Sequence, residues 1–171
     1  KLAALAQNAA VLKHYPAIAA AADSIAGPTH RNMGTVGGNL CLDTRCIYYN
    51  QSEWWRGANA HCLKTERGDM CHVAPKSKGV CFATYSGDLA PAFLLYGGEI
   101  DLAGPDGTRT VALADFYTGH AKQDGSTGDG RNYIAIRPGE IVLRVRAKNV
   151  PGLVSGYDKI RIRKSIEYPV A

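Results

Sequence analysis

Residues 31–39 read RNMGTVGGN, and residues 86–91 read SGDLAP. The first stretch is rich in glycine, which lets backbone N–H groups approach a phosphate closely. Taken alone, this stretch is weak evidence for a binding site, because a plain turn explains it equally well. It is not the GxGxxG of a dinucleotide fold, and no Gly-Lys-Ser/Thr of a P-loop follows it. Its meaning therefore depends on the residues around it.

The segment between the two stretches carries all of the chain's thiols. The five cysteines fall within residues 41–81. Residues 42–85 show neither a helical nor a strand period, and so long an irregular segment is improbable in a compact domain unless something organises it. A metal centre would do so, and the four candidate thiolate ligands, separated by 15, 8 and 9 residues, are Cys46, Cys62, Cys71 and Cys81.

The spacing of these cysteines leaves the kind of metal centre open. Zinc sites usually present cysteines in close C-x2-4-C pairs, whereas long spacings suit an iron–sulfur cluster whose ligands come from separate turns. Unligated buried cysteines are the plain alternative. We expect Cys41 to pack beside the glycine turn, although a rival ligand set would include it through its C-x4-C pair with Cys46. We expect His72 to hydrogen-bond the loop rather than bind the metal.

Size, charge and composition narrow the class of protein. The chain has 171 residues, 46% hydrophobic and 20% charged, as in one globular domain or a little more. No apolar run is long enough for a transmembrane helix. An odd number of clustered cysteines argues against a secreted disulfide scaffold and favours the reducing cytoplasm. The net charge of +5 suits an anionic cofactor or an acidic partner. The sequence lacks the clustered basic residues with interleaved aromatics that a nucleic-acid site needs.

Local patterns predict an order of helices and strands. We expect helices over residues 2–14, from Pro16 to about Ala26, and from Leu89 to Tyr96. Residues 35–40 are expected to be part strand and part turn, and residues 119–132 to form a surface loop. The predicted strands are Glu99 to Ala103, Thr108 to Leu113, Ile141 to Val145, and Gly156 to Ile166, the last with Ile160 and Ile162 facing inward.

Four motifs together resemble the FAD subunit of the molybdenum hydroxylases, the family of xanthine dehydrogenase, carbon monoxide dehydrogenase and aldehyde oxidoreductases. They are RNMGTVGGN, GDLAPA at residues 87–92, PGEIV at residues 138–142, and Tyr157-x-Lys159. The resemblance implies an α+β fold of the vanillyl-alcohol-oxidase (PCMH) type, with a mainly antiparallel sheet and flanking helices. Residues 1–150 would be the middle FAD-binding subdomain, and residues 151–171 would begin a following region. The family's first FAD loop and its C-terminal domain are absent, so we expect a fragment of a longer protein.

Most members of that family join the first two motifs by only a few residues, whereas about 40 intervene here. This insertion, at residues 42–85, is similar to that of the β subunit of 4-hydroxybenzoyl-CoA reductase, which carries an extra 4Fe–4S cluster. The resemblance assigns the cluster ligands to Cys46, Cys62, Cys71 and Cys81, with Cys41 left out.

The resemblance also implies the residues that bind FAD. The flavin's diphosphate and ribityl region would be contacted by Thr35, Val36, Gly37, Gly38 and Asn39. Asp88 would hydrogen-bond the cofactor, Val142 would contact it, and Lys159 would lie near the isoalloxazine. From the residues alone, Lys159 reads as a surface lysine on a strand.

The implied function is that of an electron-transfer flavoprotein subunit with no catalytic residue of its own. Electrons would pass between the 4Fe–4S cluster, FAD and the clusters of partner subunits. The partners would be a molybdopterin-containing large subunit and a 2Fe–2S small subunit, with a ferredoxin-type protein as a candidate donor. The reaction would be reductive dehydroxylation of an aromatic acyl-CoA such as 4-hydroxybenzoyl-CoA. Two alternatives stay open: another molybdenum hydroxylase of the aldehyde, xanthine or CO dehydrogenase type, and a zinc-stapled interaction module.

Overall fold

The computed structural model describes residues 1–119, 128–163 and 166–170. These residues form eight short helices and a three-stranded sheet. In chain order the elements are α1 Leu2–Gln7, α2 Ala9–His14, α3 Pro16–Ser24, α4 Pro28–Met33, α5 Val36–Leu40, α6 Glu53–Ala58, α7 Leu89–Leu95, β1 Glu99–Gly104, β2 Gly107–Ala112, α8 Leu113–Phe116 and β3 Ile141–Arg146. The predicted α+β class is confirmed, but among the described residues the sheet is small and helices predominate.

The chain divides into two compact units, each made of separate stretches of sequence. Unit one comprises Lys1–Leu42, Gly87–Phe116 and Ile136–Ala171, and unit two comprises Asp43–Ser86 and Tyr117–Ala135. The predicted boundary at residue 150 is not tested by this division and stays a prediction.

The core of unit one is built around α3, which packs against α1, α2 and α7. Four of its five alanines, Ala17, Ala19, Ala21 and Ala22, are buried, and their small side chains let neighbouring helices approach closely. The larger fully buried side chains include Tyr96, Phe116, Ile18, Leu40, Leu89, Ile100, Leu102 and Leu113.

The sheet has β1 at its centre, paired antiparallel with both β2 and β3. The β1–β2 hairpin turns at Pro105-Asp106-Gly107, where Gly107 has φ +109, a conformation that favours glycine. Arg109 on β2 forms a bidentate ion pair with Glu140, and this hydrogen bonding lowers the pKa of Glu140 to about 2. The pair joins the hairpin to the turn that precedes β3.

Two helical predictions need correction. The expected helix over residues 2–14 is interrupted at Asn8, whose side chain accepts hydrogen bonds from the backbone N–H groups of Ala10 and Val11 and so begins a new helix. The expected mixture of strand and turn at residues 35–40 is also wrong, because Thr35 caps α5 by accepting from Gly38 N at 3.0 Å.

The last predicted strand is wrong as well. The described residues between 156 and 166 form no strand, and the expected inward and outward faces are reversed. Lys159 is buried, whereas Ile160 and Ile162 are 61% and 86% exposed. The predicted surface loop at 119–132 falls partly on residues 120–127, which lie outside the described part of the chain.

Unit two contains α6 and otherwise consists mainly of turns and loops. An isolated antiparallel bridge joins Arg45 to Thr84, at the two ends of the cysteine-bearing segment. The hydroxyl of the buried Thr44 donates to the carbonyl oxygen of Gly130 at 2.7 Å, and Gly130 N donates to Cys81 O at 2.8 Å. These contacts tie residues 128–131 to the cysteine-bearing segment.

Candidate functional site

Unit one contains a groove of about 660 Å³ beside the glycine turn. One wall comprises Thr35, Val36, Gly37 and Gly38, and residues 141–145 of β3 form another. Gly37 and Gly38 bring backbone to the surface of this groove, where Gly38 N donates to Thr35 Oγ1. Such a surface suits the phosphate and polyol parts of a nucleotide cofactor.

The groove walls touch at Gly37 and Val142. A Cβ added to Gly37 would lie 3.1 Å from Val142 Cβ and 3.2 Å from its Cγ1, which is tighter than ordinary packing. Val142 is placed there by its pairing with Leu102 across a bulge in the β1–β3 ladder. Glycine at position 37 therefore lets α5 and β3 lie close to each other.

Asn39 is engaged with the protein itself. Its Oδ1 accepts a hydrogen bond from Leu89 N, at the start of α7, over 3.0 Å. The side chain thus links the glycine turn to the SGDLAP segment, although the two are about 50 residues apart in sequence. Its expected contact with a cofactor stays a prediction.

Asp88 and Lys159 form a buried ion pair. Lys159 Nζ lies 2.8 Å from Asp88 Oδ1, and the two side chains are 3% and 6% exposed. The hydroxyl of Tyr157 donates to the same carboxylate oxygen at 3.0 Å, and burial raises the pKa of Tyr157 to about 12. Asp88 occupies the N-cap position of α7, but its side chain makes no capping hydrogen bond.

Lys159 was therefore misread from the residues alone as a surface lysine. The alternation of charged and apolar residues around it gave no sign of a buried carboxylate far away in sequence. Asp88 and Lys159 satisfy each other, as a buried charged pair must. The expected contacts of these two residues with a flavin stay predictions.

Unit two brings the four predicted cysteine ligands to one small cavity. Cys46, Cys62, Cys71 and Cys81 all line it. Three of them, Cys62, Cys71 and Cys81, are each 6% exposed. No disulfide joins any of the chain's five cysteines, all of which lie in the described part. Burial raises the pKa of the Cys81 thiol, while the positive charge of Lys64 acts in the opposite direction.

The neighbouring candidates have other roles. His72 lines the same cavity, but its Nε2 forms a short hydrogen bond with the backbone carbonyl of His61, and its ring lies 5.4 Å from that of Tyr48. Cys41 instead lines the groove of unit one, and burial raises the pKa of its thiol. This placement agrees with the expectation that neither residue is a ligand, which stays a prediction.

Two glycines allow the loops around the cavity to approach one another. A Cβ on Gly68 would lie 2.3 Å from Cys62 O and 2.6 Å from Cys62 N. A Cβ on Gly130 would lie 2.5 Å from Ala83 O. Both clashes involve backbone atoms, which cannot rotate away. Sequence reasoning missed these residues, because a glycine in a polar loop gives no sign of what approaches it.

The thiols of this cavity form a candidate donor set for a metal centre. Within the described ranges, no group of three or more His, Cys, Asp or Glu side chains is arranged to hold a single metal ion. The four thiols nevertheless surround one cavity. A cluster of several iron and sulfide atoms is wider than one ion, so its thiolate ligands stand further apart. Four thiolates are a donor set used both by iron–sulfur clusters and by structural zinc sites, so the kind of metal centre stays a prediction.

A large groove lined by the two glycines of α5 and by β3 suits a nucleotide cofactor. Residues 1–147 match the family described as FAD binding domain in molybdopterin dehydrogenase, and the chain belongs to this family.

Similar proteins agree with this assignment. The chain is 30% identical over 168 residues to the aldehyde oxidoreductase FAD-binding subunit PaoB of Escherichia coli K12, covering 96% of this chain and 51% of PaoB. It is 29% identical to the xanthine dehydrogenase FAD-binding subunit of E. coli O157:H7, covering 69% of this chain and 27% of that subunit. The chain thus spans about half or less of the length of these relatives.

Solved structures share the fold. Reconstituted CO dehydrogenase from Oligotropha carboxidovorans has a TM-score of 0.61 at 23% identity, covering 98% of this chain and 41% of that one. Quinoline 2-oxidoreductase from Pseudomonas putida 86 has a TM-score of 0.58 at 18% identity, covering 99% of this chain and 41% of that one. None of the described helices has the length and apolar character needed to cross a membrane.

Proposed function

We propose that this chain belongs to an electron-transfer flavoprotein subunit of a molybdenum-containing oxidoreductase, with a 4Fe–4S cluster in addition to FAD. The observation that carries the proposal is the convergence of Cys46, Cys62, Cys71 and Cys81 on one cavity, in a chain that belongs to an FAD-binding family. The subunit would pass electrons between the cluster, FAD and centres on partner subunits.

FAD would be held along the groove of unit one by Thr35, Val36, Gly37, Gly38 and Val142. When bound, FAD supplies a carrier that can exchange either one or two electrons. The glycine turn would present backbone donors to the cofactor, and the Asn39–Leu89 hydrogen bond would hold that turn in place.

Asp88 and Lys159 are proposed to act beside the flavin as one unit. Because the two side chains are already paired, any effect of Lys159 on the isoalloxazine would be that of a fixed, partly compensated positive charge. Tyr157 would steady the pair through its hydrogen bond to Asp88.

The partners would be a molybdopterin-containing large subunit and a 2Fe–2S small subunit, with a ferredoxin-type donor, in the cytoplasm. Substrate chemistry would take place on the large subunit. Reductive dehydroxylation of an aromatic acyl-CoA remains one candidate reaction. Aldehyde oxidation is the second, and the similarity to PaoB over 96% of this chain favours it. Assays of the holoenzyme with an aldehyde and with 4-hydroxybenzoyl-CoA would separate them.

The metal content of the full-length subunit tests the proposal. Anaerobically purified protein should contain FAD together with about four iron and four sulfide per subunit, as the cluster type requires. Zinc without sulfide would instead support a zinc-stapled loop. Protein with neither iron nor sulfide would contradict the cluster.

Serine substitutions should identify the ligands. We expect Cys46→Ser, Cys62→Ser, Cys71→Ser and Cys81→Ser each to lower the iron and sulfide content sharply, because a hydroxyl is a poor ligand for iron in a cluster. Cys41→Ser is the matched control and should keep both, since Cys41 lines the groove of unit one instead. This ligand set would be refuted if Cys41→Ser lost its iron while one of the four other serine variants kept the wild-type iron content.

A methyl group at Gly37 should weaken flavin binding. Gly37→Ala would place Cβ 3.1 Å from Val142 Cβ and push the two groove walls apart. Overpacking of this kind costs about 1–3 kcal/mol, so we expect the FAD dissociation constant to rise about tenfold or more. Flavin titration of the full-length apoprotein measures it. Gly156→Ala, with no atom within 4 Å of its added Cβ, should bind FAD normally.

A further inference from the structure

The cysteine cavity has a nearly buried ammonium group in its wall. Lys64 lines the cavity with the four cysteines, and its side chain is 8% exposed. Its Nζ lies 2.6 Å from Thr44 Oγ1, 2.9 Å from Thr44 O and 2.8 Å from Asp43 Oδ1. Three hydrogen bonds therefore use all three protons of the ammonium group.

These contacts hold the charge in a fixed position. Thr44 is 2% exposed, and its hydroxyl passes a hydrogen bond on to Gly130 O. The ammonium also lies 4.7 Å from the centre of the Tyr49 ring, another residue of the cavity wall. A lysine held from three sides cannot swing away to water as a surface lysine does.

The charges around Lys64 leave its positive charge only partly compensated. Its carboxylate partner Asp43 is 57% exposed, so solvent screens that interaction. The other charged groups nearby are themselves paired. Arg56, the other cation near Tyr49, forms an ion pair with Glu53. Asp129 forms an ion pair with Arg131. Among the described residues that line the cavity, Lys64 is the single lysine, and none is arginine, aspartate or glutamate.

We propose that Lys64 sets the reduction potential of the metal centre in the four-cysteine cavity, holding it higher than the thiolates alone would. The inference rests on the proposed cluster. Each electron added to the cluster makes it more negative, and a fixed cation in a poorly solvated wall stabilises the reduced form. Lys64 would act on the cluster through its fixed positive charge and would not bind the iron.

The test is a redox titration of the full-length subunit in its holoenzyme, with the cluster followed by electron paramagnetic resonance. Lys64→Met should lower the midpoint potential of the cluster. At a fixed applied potential, the ratio of reduced to oxidised cluster should fall about tenfold, which corresponds to about 59 mV for a one-electron couple. Lys64→Arg keeps the charge and should stay near the wild type. The FAD midpoint, read in the same sample, should change far less than that of the cluster.

A second variant keeps the test decisive if Lys64→Met fails to assemble the centre. Lys64→Gln removes the positive charge but keeps an amide that can donate to Asp43 and Thr44, so the midpoint should fall as in Lys64→Met. An unchanged midpoint in an iron-replete Lys64→Gln or Lys64→Met would overturn the role of Lys64 and leave the cluster standing. A wild-type subunit without iron and sulfide would remove the cluster and this inference together.

Discussion

Replacing Gly68 with alanine should deprive the cysteine cavity of the proposed metal centre. The new Cβ would lie 2.3 Å from the carbonyl oxygen of Cys62 and 2.6 Å from its nitrogen. Real Cβ atoms essentially never lie so close to another atom, and backbone atoms cannot relieve the clash by rotating. The backbone at residue 68 or at Cys62 must therefore shift, which disturbs the seat of one of the four proposed ligands.

The expected magnitude is large. Overpacking costs about 1–3 kcal/mol, and about 1.4 kcal/mol already shifts an equilibrium tenfold. We expect iron and sulfide per FAD in Gly68→Ala to fall about tenfold or more, with the flavin retained. Metal and sulfide analysis of the full-length subunit, purified without oxygen, measures both.

Gly57→Ala is the matched control in the same unit. Its nearest neighbour would be His61 Nε2, at 3.8 Å, which is ordinary contact. Gly57 also lies inside α6, where alanine is the better helix former. This variant should keep its metal, and a Gly68→Ala protein with wild-type iron would contradict the close approach at Cys62.

Replacing Lys159 with methionine should destabilise the subunit by about 3–5 kcal/mol, the usual cost of removing one partner from a buried ion pair. The carboxylate of Asp88, 6% exposed, would lose its countercharge and keep only the hydrogen bond from Tyr157. Denaturant unfolding of the full-length subunit measures the change. The additional variant Asp88→Asn in the same protein should recover part of the loss, because no unpaired charge would remain.

An exposed ion pair supplies the control. Arg67 and Glu53 lie 3.1 Å apart with side chains 73% and 61% exposed. Arg67→Met should change the free energy of unfolding by less than about 1 kcal/mol. If Lys159→Met cost no more than this control, the Asp88–Lys159 pair would not be the buried contact described above.

Features set by neighbouring residues could be predicted from the sequence. The β1–β2 hairpin follows from its Pro-Asp-Gly turn, and α3 begins at Pro16 as predicted because proline suits the first helical position. Residues 35–40 were misjudged because two glycines suggested a turn, while the hydroxyl of Thr35 capping Gly38 N was enough to begin a helix. The errors thus arose where a single side chain outweighed composition.

Features set by distant residues could not be predicted in this way. The alternating Lys159, Ile160 and Arg161 gave a strand pattern, but Asp88 holds Lys159 inside the protein. Likewise, the cysteines could be proposed as ligands from their grouping and from a family resemblance. Nothing in the sequence pointed to the nearly buried Lys64, or to the approach of Gly68 to Cys62. Such contacts depend on loop paths that no local pattern records.

The hydrogen bonds that join Gly130 to Thr44 and Cys81 also bear on the order in which the protein is made. On the ribosome all four cysteines emerge before β1, β2 and α8, and residues 128–131 emerge only afterwards. A nascent chain therefore exposes the thiols before the backbone that closes over them exists. For the proposed cluster, correct maturation would then require these thiols to stay reduced and free of stray metal ions until synthesis has passed Gly130.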